Sequence, residues 1–213
     1  MPIPSAYSED TVRLLNGYLS PELNPGESRE GEFKFFIGEA KKSRGPVLDL
    51  ACCAGRMLMV LARAGIEVFG LDASLPALQL AQKAMKKLSK RQQKRIRLIQ
   101  GDMRHFHFRR PFSLVIIPYH SFWYNLLLSV DGFRTAELSV ESVKKDAEKC
   151  IKSIMESLKP RGKFIIDFPV NYTDPPFLMW WNSMVKKYKF KFKITDPYCS
   201  RGYQKVLVGR KLN

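Results

Sequence analysis

Residues 47–56 read Val47-Leu48-Asp49-Leu50-Ala51-Cys52-Cys53-Ala54-Gly55-Arg56, and the fold turns on how this run divides. Pro46 to Ala51 (PVLDLA) is short and apolar apart from Asp49, the pattern of a buried strand. Small residues follow as far as Gly55. Arg56 to Ala64 is then apolar almost all round, which predicts a buried helix stopped by Gly65. Strand, small-residue loop and helix in immediate succession present backbone N–H groups at a helix N-terminus, where an anion or a ligand carboxylate can sit.

Working outward, the same alternation repeats. Upstream, Glu32 to Lys42 reads as a helix ended by Ser43-Arg44-Gly45-Pro46. Before it, residues 1–31 form an N-terminal helical or lid segment, with a short helix over Glu9 to Leu19. Downstream, Glu67 to Asp72 (EVFGLD) is a second strand. Ser74 can cap the next helix, whose first turn holds Pro76 and which runs on through a basic end from Lys83 to Arg95. Arg97 to Asp102 closes a third strand and Phe112 to Ile117 (FSLVII) makes a fourth. Val143, Ala147, Cys150, Ile151, Ile154 and Leu158 recur at helical spacing, Pro160-Arg161-Gly162 stops that helix, and Lys163 to Phe168 (KFIIDF) is a fifth strand. Phe177 to Lys187 reads as helical. Phe190, Phe192 and Ile194 alternate with lysines as a half-buried antiparallel strand, with Gln204 to Arg210 as its hairpin partner. Alternating strands and helices predict an α/β fold with a doubly wound, mostly parallel sheet. Residues 32–170 form its core, and 171–213 add a helix and an antiparallel hairpin to the same domain.

Composition narrows the classes. The 213 residues are 45% hydrophobic, enough for a sizeable core. A formal net charge of +16 raises nucleic acid or an anionic membrane as partners. No stretch approaches the ~18–20 apolar residues that a membrane span requires. Adjacent Cys52 and Cys53 in an apolar stretch suit reduced thiols, and the three histidines supply no metal set near the cysteines. A cytoplasmic protein without membrane or metal is expected.

In open sheets of this kind ligands bind at the carboxyl edge, where the strand order reverses, and an acid about 20 positions beyond the loop holds a ribose. Asp72 stands there. Gly101-Asp102-Met103 adds polar groups at the same edge.

These segments, in this order, resemble the class I (Rossmann-like) S-adenosylmethionine-dependent methyltransferases. Val47 to Arg56 is similar to the family's first motif, Glu67 to Asp72 with Ala73-Ser74 to its second, and Gln100 to Met103 to its third. Phe112 to Ile117 with Pro118-Tyr119-His120-Ser121-Phe122 resembles the fourth. Leu158 to Lys163 resembles the family's turn before strand five. The match covers roughly residues 30–170. It implies a seven-stranded-type sheet in the order 3-2-1-4-5 plus C-terminal antiparallel strands. It also implies S-adenosylmethionine as cofactor, held by Asp49, Ala51, Cys53, Gly55 and Arg56 of the loop, Asp72 on the ribose hydroxyls with Ala73 beside it, Asp102 on the adenine amino group with Met103, and Pro118. The family's middle glycine is Cys53 here and its following Thr is Ala54. A Cβ and a sulfur at position 53 crowd the cofactor's amino-acid portion, and a misfit of about 1–2 kcal/mol weakens binding roughly five- to thirtyfold.

The remaining residues have competing readings. His120 follows strand four, where the family places catalytic groups, and is the candidate general base. The methyl sits on a sulfonium, however, and many members work without a base. His105 and His107 read as surface residues, and Met57, Met59 and Leu61 as core. Tyr119, Phe122 and Trp123 are candidate walls for an acceptor, against a packed helix as the plain reading. The basic run from Lys83 to Arg97 lies on a helix returning to the opposite edge of the sheet, so a solvated face outweighs a nucleic-acid groove. The lysines at 189, 191 and 193 suit a guarded edge strand. At the C-terminus either residues 189–194 and 204–210 are the family's terminal hairpin, or they are an inserted hairpin in a C-terminally abbreviated sheet. The second is the reading taken. The function expected is methyl transfer to a small-molecule acceptor. The alternatives are a degenerate methyltransferase-like partner domain and, third, an RNA methyltransferase.

Overall fold

The strand Val47–Leu50 (β1) is buried at all four positions and lies at the centre of the sheet. The computed structural model describes residues 30–119, 121–122, 140–169, 175–196 and 204–213; the expected helix over residues 9–19 lies outside them. On one side β1 pairs in parallel with Val68–Asp72 (β2), which pairs in turn with Ile96–Gln100 (β3). On the other side it pairs with Phe112–Ile117 (β4), and β4 with Leu158–Pro169 (β5), all parallel. Gln204–Lys211 (β7) then runs antiparallel beside β5, and Phe190–Thr195 (β6) closes the sheet as its outer strand. The full order is β3-β2-β1-β4-β5-β7-β6.

This order corrects the reading of the C-terminus. The reversed strand β7 sits between β5 and β6, so residues 190–211 are the terminal hairpin and the sheet is not abbreviated. Spacing along the chain is the same in both readings, which is why only the pairing separates them.

Helices cover both faces. Glu30–Ser43 (α1), Arg56–Arg63 (α2) and Leu75–Met85 (α3) lie on one side, with a core of Phe36, Leu58, Leu61, Leu114 and Ile165 among others. Val140–Ser157 (α5) and Pro175–Tyr188 (α6) lie on the other, over Leu48, Phe112, Phe164 and Leu207. Strand alternation sets which groups face where. Leu48 and Leu50 belong to the α5–α6 side and Val47 to the α1–α2 side, which turns Asp49 toward the latter.

Two boundaries differ from expectation for local reasons. The helix after β2 does not run on to Arg95. It stops at Met85, and Lys90–Gln93 (α4) starts anew from a capping box between Ser89 and Gln92. The Pro160-Arg161-Gly162 turn does not separate α5 from β5 but lies inside the strand. Leu158 pairs with Phe112 and Lys163 with Leu114, so three extra residues bulge out, with Arg161 at φ +61°. At Gly209 of β7 an added Cβ would lie 2.1 Å from the Phe164 ring, a space no side chain can share. No helix among the described residues is long and apolar enough to cross a membrane.

Candidate functional site

The carboxyl ends of β1, β2 and β4 meet at one crevice. The β1–α2 loop enters it through three left-handed residues, Ala51 (φ +54°), Cys53 (φ +50°) and Gly55 (φ +81°). Glycine takes this conformation freely, whereas each L-residue in it costs about 1–2 kcal/mol. Gly55 caps α2 without a side chain of its own, so no group on it shields the first amides of the helix.

Asp72, at the end of β2, is turned toward this loop. Its Oδ2 accepts from the Cys53 N–H at 2.8 Å and its Oδ1 from the Ser74 N–H at 2.8 Å. Ser74 in turn caps α3, its Oγ accepting from the Ala77 N–H at 3.3 Å. One carboxylate thus ties the loop to the start of the next helix. A carboxylate offers about four acceptor positions, so two are left for a ligand. Burial raises the Asp72 carboxyl above its usual range, against the opposing effect of the two N–H donors.

Beneath the loop, Asp49 is only 1% exposed, and its Oδ1 finds no hydrogen-bond partner among the described residues. Burial and the neighbouring charge of Asp72 raise its pKa well above the ordinary carboxylate value, with Arg56 pulling the other way. A buried acceptor left without a donor is costly and invites a cationic or hydrogen-bonding group. The Cys53 thiol is pushed up to about 11 by burial and by Asp72. It is a neutral thiol near pH 7, not a nucleophile.

Arg56 begins α2 and lays its guanidinium over the Tyr119 ring, 3.4 Å from the centroid, with the Phe33 ring of α1 at 6.0 Å. Tyr119 follows β4 at φ +61°, and its N–H donates to Asp167 Oδ2 at 2.7 Å. Asp167 lies fully buried on β5 and fixes the loop after β4. The sequence reading passed over it. The available signal was a single acid inside the apolar run KFIIDF, the same signal that marked Asp49 in VLDL.

The other expected residues are less uniformly placed. Ala73 and Pro118 flank the crevice, the Ala73 carbonyl accepting from Gln100 Nε2 at 3.3 Å. Asp102 follows β3, but Arg104 grips its carboxylate, with Nη2 2.6 Å from Oδ2 and Nε 3.0 Å from Oδ1, and ties it through Asp146 to α5. Burial favours a raised pKa there, yet the Arg104 contacts hold it below the usual range. Met103 is buried in the core. Phe122 is fully buried, 6.3 Å from the Trp181 ring, and presents no surface to an acceptor. His120 and Trp123 lie outside the described residues. Among the described residues no group of three or more His, Cys, Asp or Glu could hold a metal ion.

This geometry has relatives. Residues 47–131 match a methyltransferase-domain family. Superposition on the CcbJ methyltransferase from Streptomyces caelestis gives a TM-score of 0.72 over 97% of this chain and 100% of that one, at 14% identity. The chain has the class I, Rossmann-like methyltransferase fold. A structure of the glycopeptide N-methyltransferase MtfA complexed with S-adenosyl-L-methionine superposes on this chain at TM-score 0.66, with 20% identity over 86% of this chain and 93% of that one. In sequence it is 28% identical over 172 residues to a cypemycin N-terminal methyltransferase of a Streptomyces species, covering 81% of this chain and 58% of the relative. It is 30% identical over 156 residues to a demethylmenaquinone methyltransferase of Lactobacillus johnsonii, covering 72% and 55%. The chain therefore spans little more than half the length of the curated relatives it matches.

Proposed function

We propose that this chain binds S-adenosylmethionine in the β1–α2 crevice and transfers its methyl group to a small organic acceptor. The observation that carries the reading is the pair of carboxylates at the crevice, Asp49 with an unsatisfied buried oxygen and Asp72 clamped against the loop amides. An adenosyl sulfonium with an ammonium and two ribose hydroxyls supplies the donors and positive charge that such a pair lacks, so the residues present fit the group.

When bound, the cofactor supplies an electrophilic methyl on a sulfonium. The work of the chain is then to bind, orient and exclude water. The loop from Ala51 to Gly55 receives the amino-acid portion, with Asp49 beneath it to accept from the ammonium. Asp72 takes the ribose hydroxyls on its two remaining acceptor positions. Arg56, stacked on Tyr119, offers its charge at the same mouth, and Asp167 keeps Tyr119 in place. Asp102 reaches an adenine amino group only in competition with Arg104. A neutral amine attacks through its own lone pair and releases its proton to water afterwards, whereas a hydroxyl or a carbon acid needs its proton removed, and His120 stays the candidate base for that case.

Relatives named for demethylmenaquinone and for glycopeptides support a compact acceptor over a polynucleotide. The test is transfer of an isotope-labelled methyl from S-adenosylmethionine to panels of small amines, phenols and quinols, to peptides and to RNA. Label appearing first on a small molecule supports the reading; label on RNA alone replaces it with the RNA-methyltransferase alternative.

A further inference from the structure

A second concave surface lies away from the cofactor loop. Between α1 and the exposed face of β7 and β6 runs a groove of about 740 Å³. Lys34, Lys42, Lys163, Lys191, Lys193 and Arg210 line it, and among the described residues Glu39 is the only acid in the lining. Glu39 is spent on Lys42 and Lys163, at 2.8 and 2.9 Å.

The placement of these charges is unfavourable to the fold itself. Lys163 is directly opposite Arg210 and Arg210 directly opposite Lys191, so three cations form one rung on one face of adjacent strands. Neighbouring strands lie ~4.8 Å apart, and like charges directly opposite are destabilising. Guarding an edge from aggregation accounts for lysines on the outer strand β6. Ion pairs account for Lys34, which meets Glu30 at 2.7 Å, and for Lys42 and Lys163 on Glu39. Neither explanation accounts for Arg210, which sits on the interior strand β7 opposite two lysines.

The groove also has a direction. Its lower end is the Lys163–Arg210–Lys191 rung, at the amino ends of the parallel strands. Its upper end is at Thr195, whose rung passes through Val206 to Asp167, the residue that pins the crevice loop. Lys34 follows Phe33, whose ring is near Arg56. Along β6, Lys191 and Lys193 stand about 6.8 Å apart at two strand residues.

We propose that this groove binds the phosphate backbone of single-stranded nucleic acid and anchors it beside the cofactor crevice, whatever the methyl acceptor is. A concavity lined by six cations, with Lys191, Lys193 and Arg210 clustered on adjacent strands, suits a chain with one charge per nucleotide. The net charge of +16 and a pI near 9.8 favour a polyanion over a short acidic peptide.

The experiment is fluorescence anisotropy of a labelled 12-nucleotide oligouridylate with the full chain, titrated across salt. The groove variant is Lys191→Glu, Lys193→Glu, Arg210→Glu, and the control carries Lys86→Glu, Lys87→Glu and Lys90→Glu on the α3–α4 side. Expected is binding that the groove variant weakens at least tenfold, while the control changes it by less than half as much on a logarithmic scale. The plot of log affinity against log salt should flatten by about 2, at ~0.7 per phosphate for three lost charges. In the groove variant positions 191 and 210 stay alike in charge while position 210 becomes opposite in charge to Lys163, so it should melt close to the parent. Should it fail to fold, Lys191→Gln with Lys193→Gln, both exposed, gives the same reading with a smaller loss. Absence of binding at low salt overturns the proposal, as does a greater loss in the control than in the groove variant. Equal competition by a polyglutamate of matched charge also overturns it, in favour of an acidic polypeptide. S-adenosylmethionine affinity, measured on the same variant, stays unchanged if only the groove is affected.

Discussion

Replacing Cys53 by glycine isolates the feature in which this crevice departs most from the methyltransferase motif it resembles. Cys53 holds φ +50°, and its N–H is committed to Asp72 Oδ2. A non-glycine residue in that conformation costs about 1–2 kcal/mol. Glycine removes this cost and gives back roughly 0.5–1 kcal/mol through its greater freedom in the unfolded chain. The net gain is about 0.5–1 kcal/mol, or a rise in melting temperature of roughly 1–4 °C for a chain of this length. Cofactor affinity should improve as well, because the side chain no longer stands beside the loop amides. A gain of ~1.4 kcal/mol is a tenfold tightening. Differential scanning calorimetry reads the first effect and titration calorimetry with S-adenosylhomocysteine the second. Cys53→Ala keeps the Cβ and the backbone cost while losing the sulfur, so it should show no stability gain. A glycine variant that melts lower than the parent and binds no better would refute the reasoning.

Further outcomes follow from single contacts. Gly209→Ala sets a methyl 2.1 Å from the Phe164 ring and should cost about 1–3 kcal/mol, seen as a melting temperature several degrees lower. Asp167→Ala removes the acceptor of the Tyr119 N–H. It should lose about 1–3 kcal/mol of stability and weaken cofactor binding, whereas Asp167→Asn, which can still accept, should recover most of both. Cofactor affinity should fall on acidification sooner than an ordinary carboxylate near 3.9 would dictate, since Asp49 and Asp72 are both raised. The ionised forms attract the cation, so affinity is present above the raised values and lost as pH falls through them. For folding the sign is opposite. The folded chain holds these protons more tightly than the unfolded one, so their contribution to stability is present at low pH and lost as pH rises. An affinity flat down to pH 4 would count against the pair.

Much of this was legible in the chain, for physical reasons. β4 matched residue for residue because FSLVII is buried throughout and ends at proline. Ser74 was readable as a cap because its oxygen acts only a few residues along the chain. The position of Asp72 was readable because a strand-end acid about 20 residues beyond the loop is brought back beside it by the parallel pairing of β1 and β2. What escaped depends on long-range pairing. The order of β6 and β7 is decided by which strand reaches β5, and neither spacing nor alternation encodes that. Ser89 and Gln92 make a cap of their own inside a run that looks continuous in charge. Arg104 grips Asp102 from only two residues away, but its second contact, to Asp146 of α5 more than forty residues on, has no local pattern to announce it.

The most direct measurement is titration calorimetry of the purified chain with S-adenosylmethionine and S-adenosylhomocysteine, alongside Asp72→Ala. The account predicts saturable one-to-one binding of both ligands, weakened at least tenfold in the variant. No heat at millimolar ligand, or equal binding by parent and variant, would contradict it.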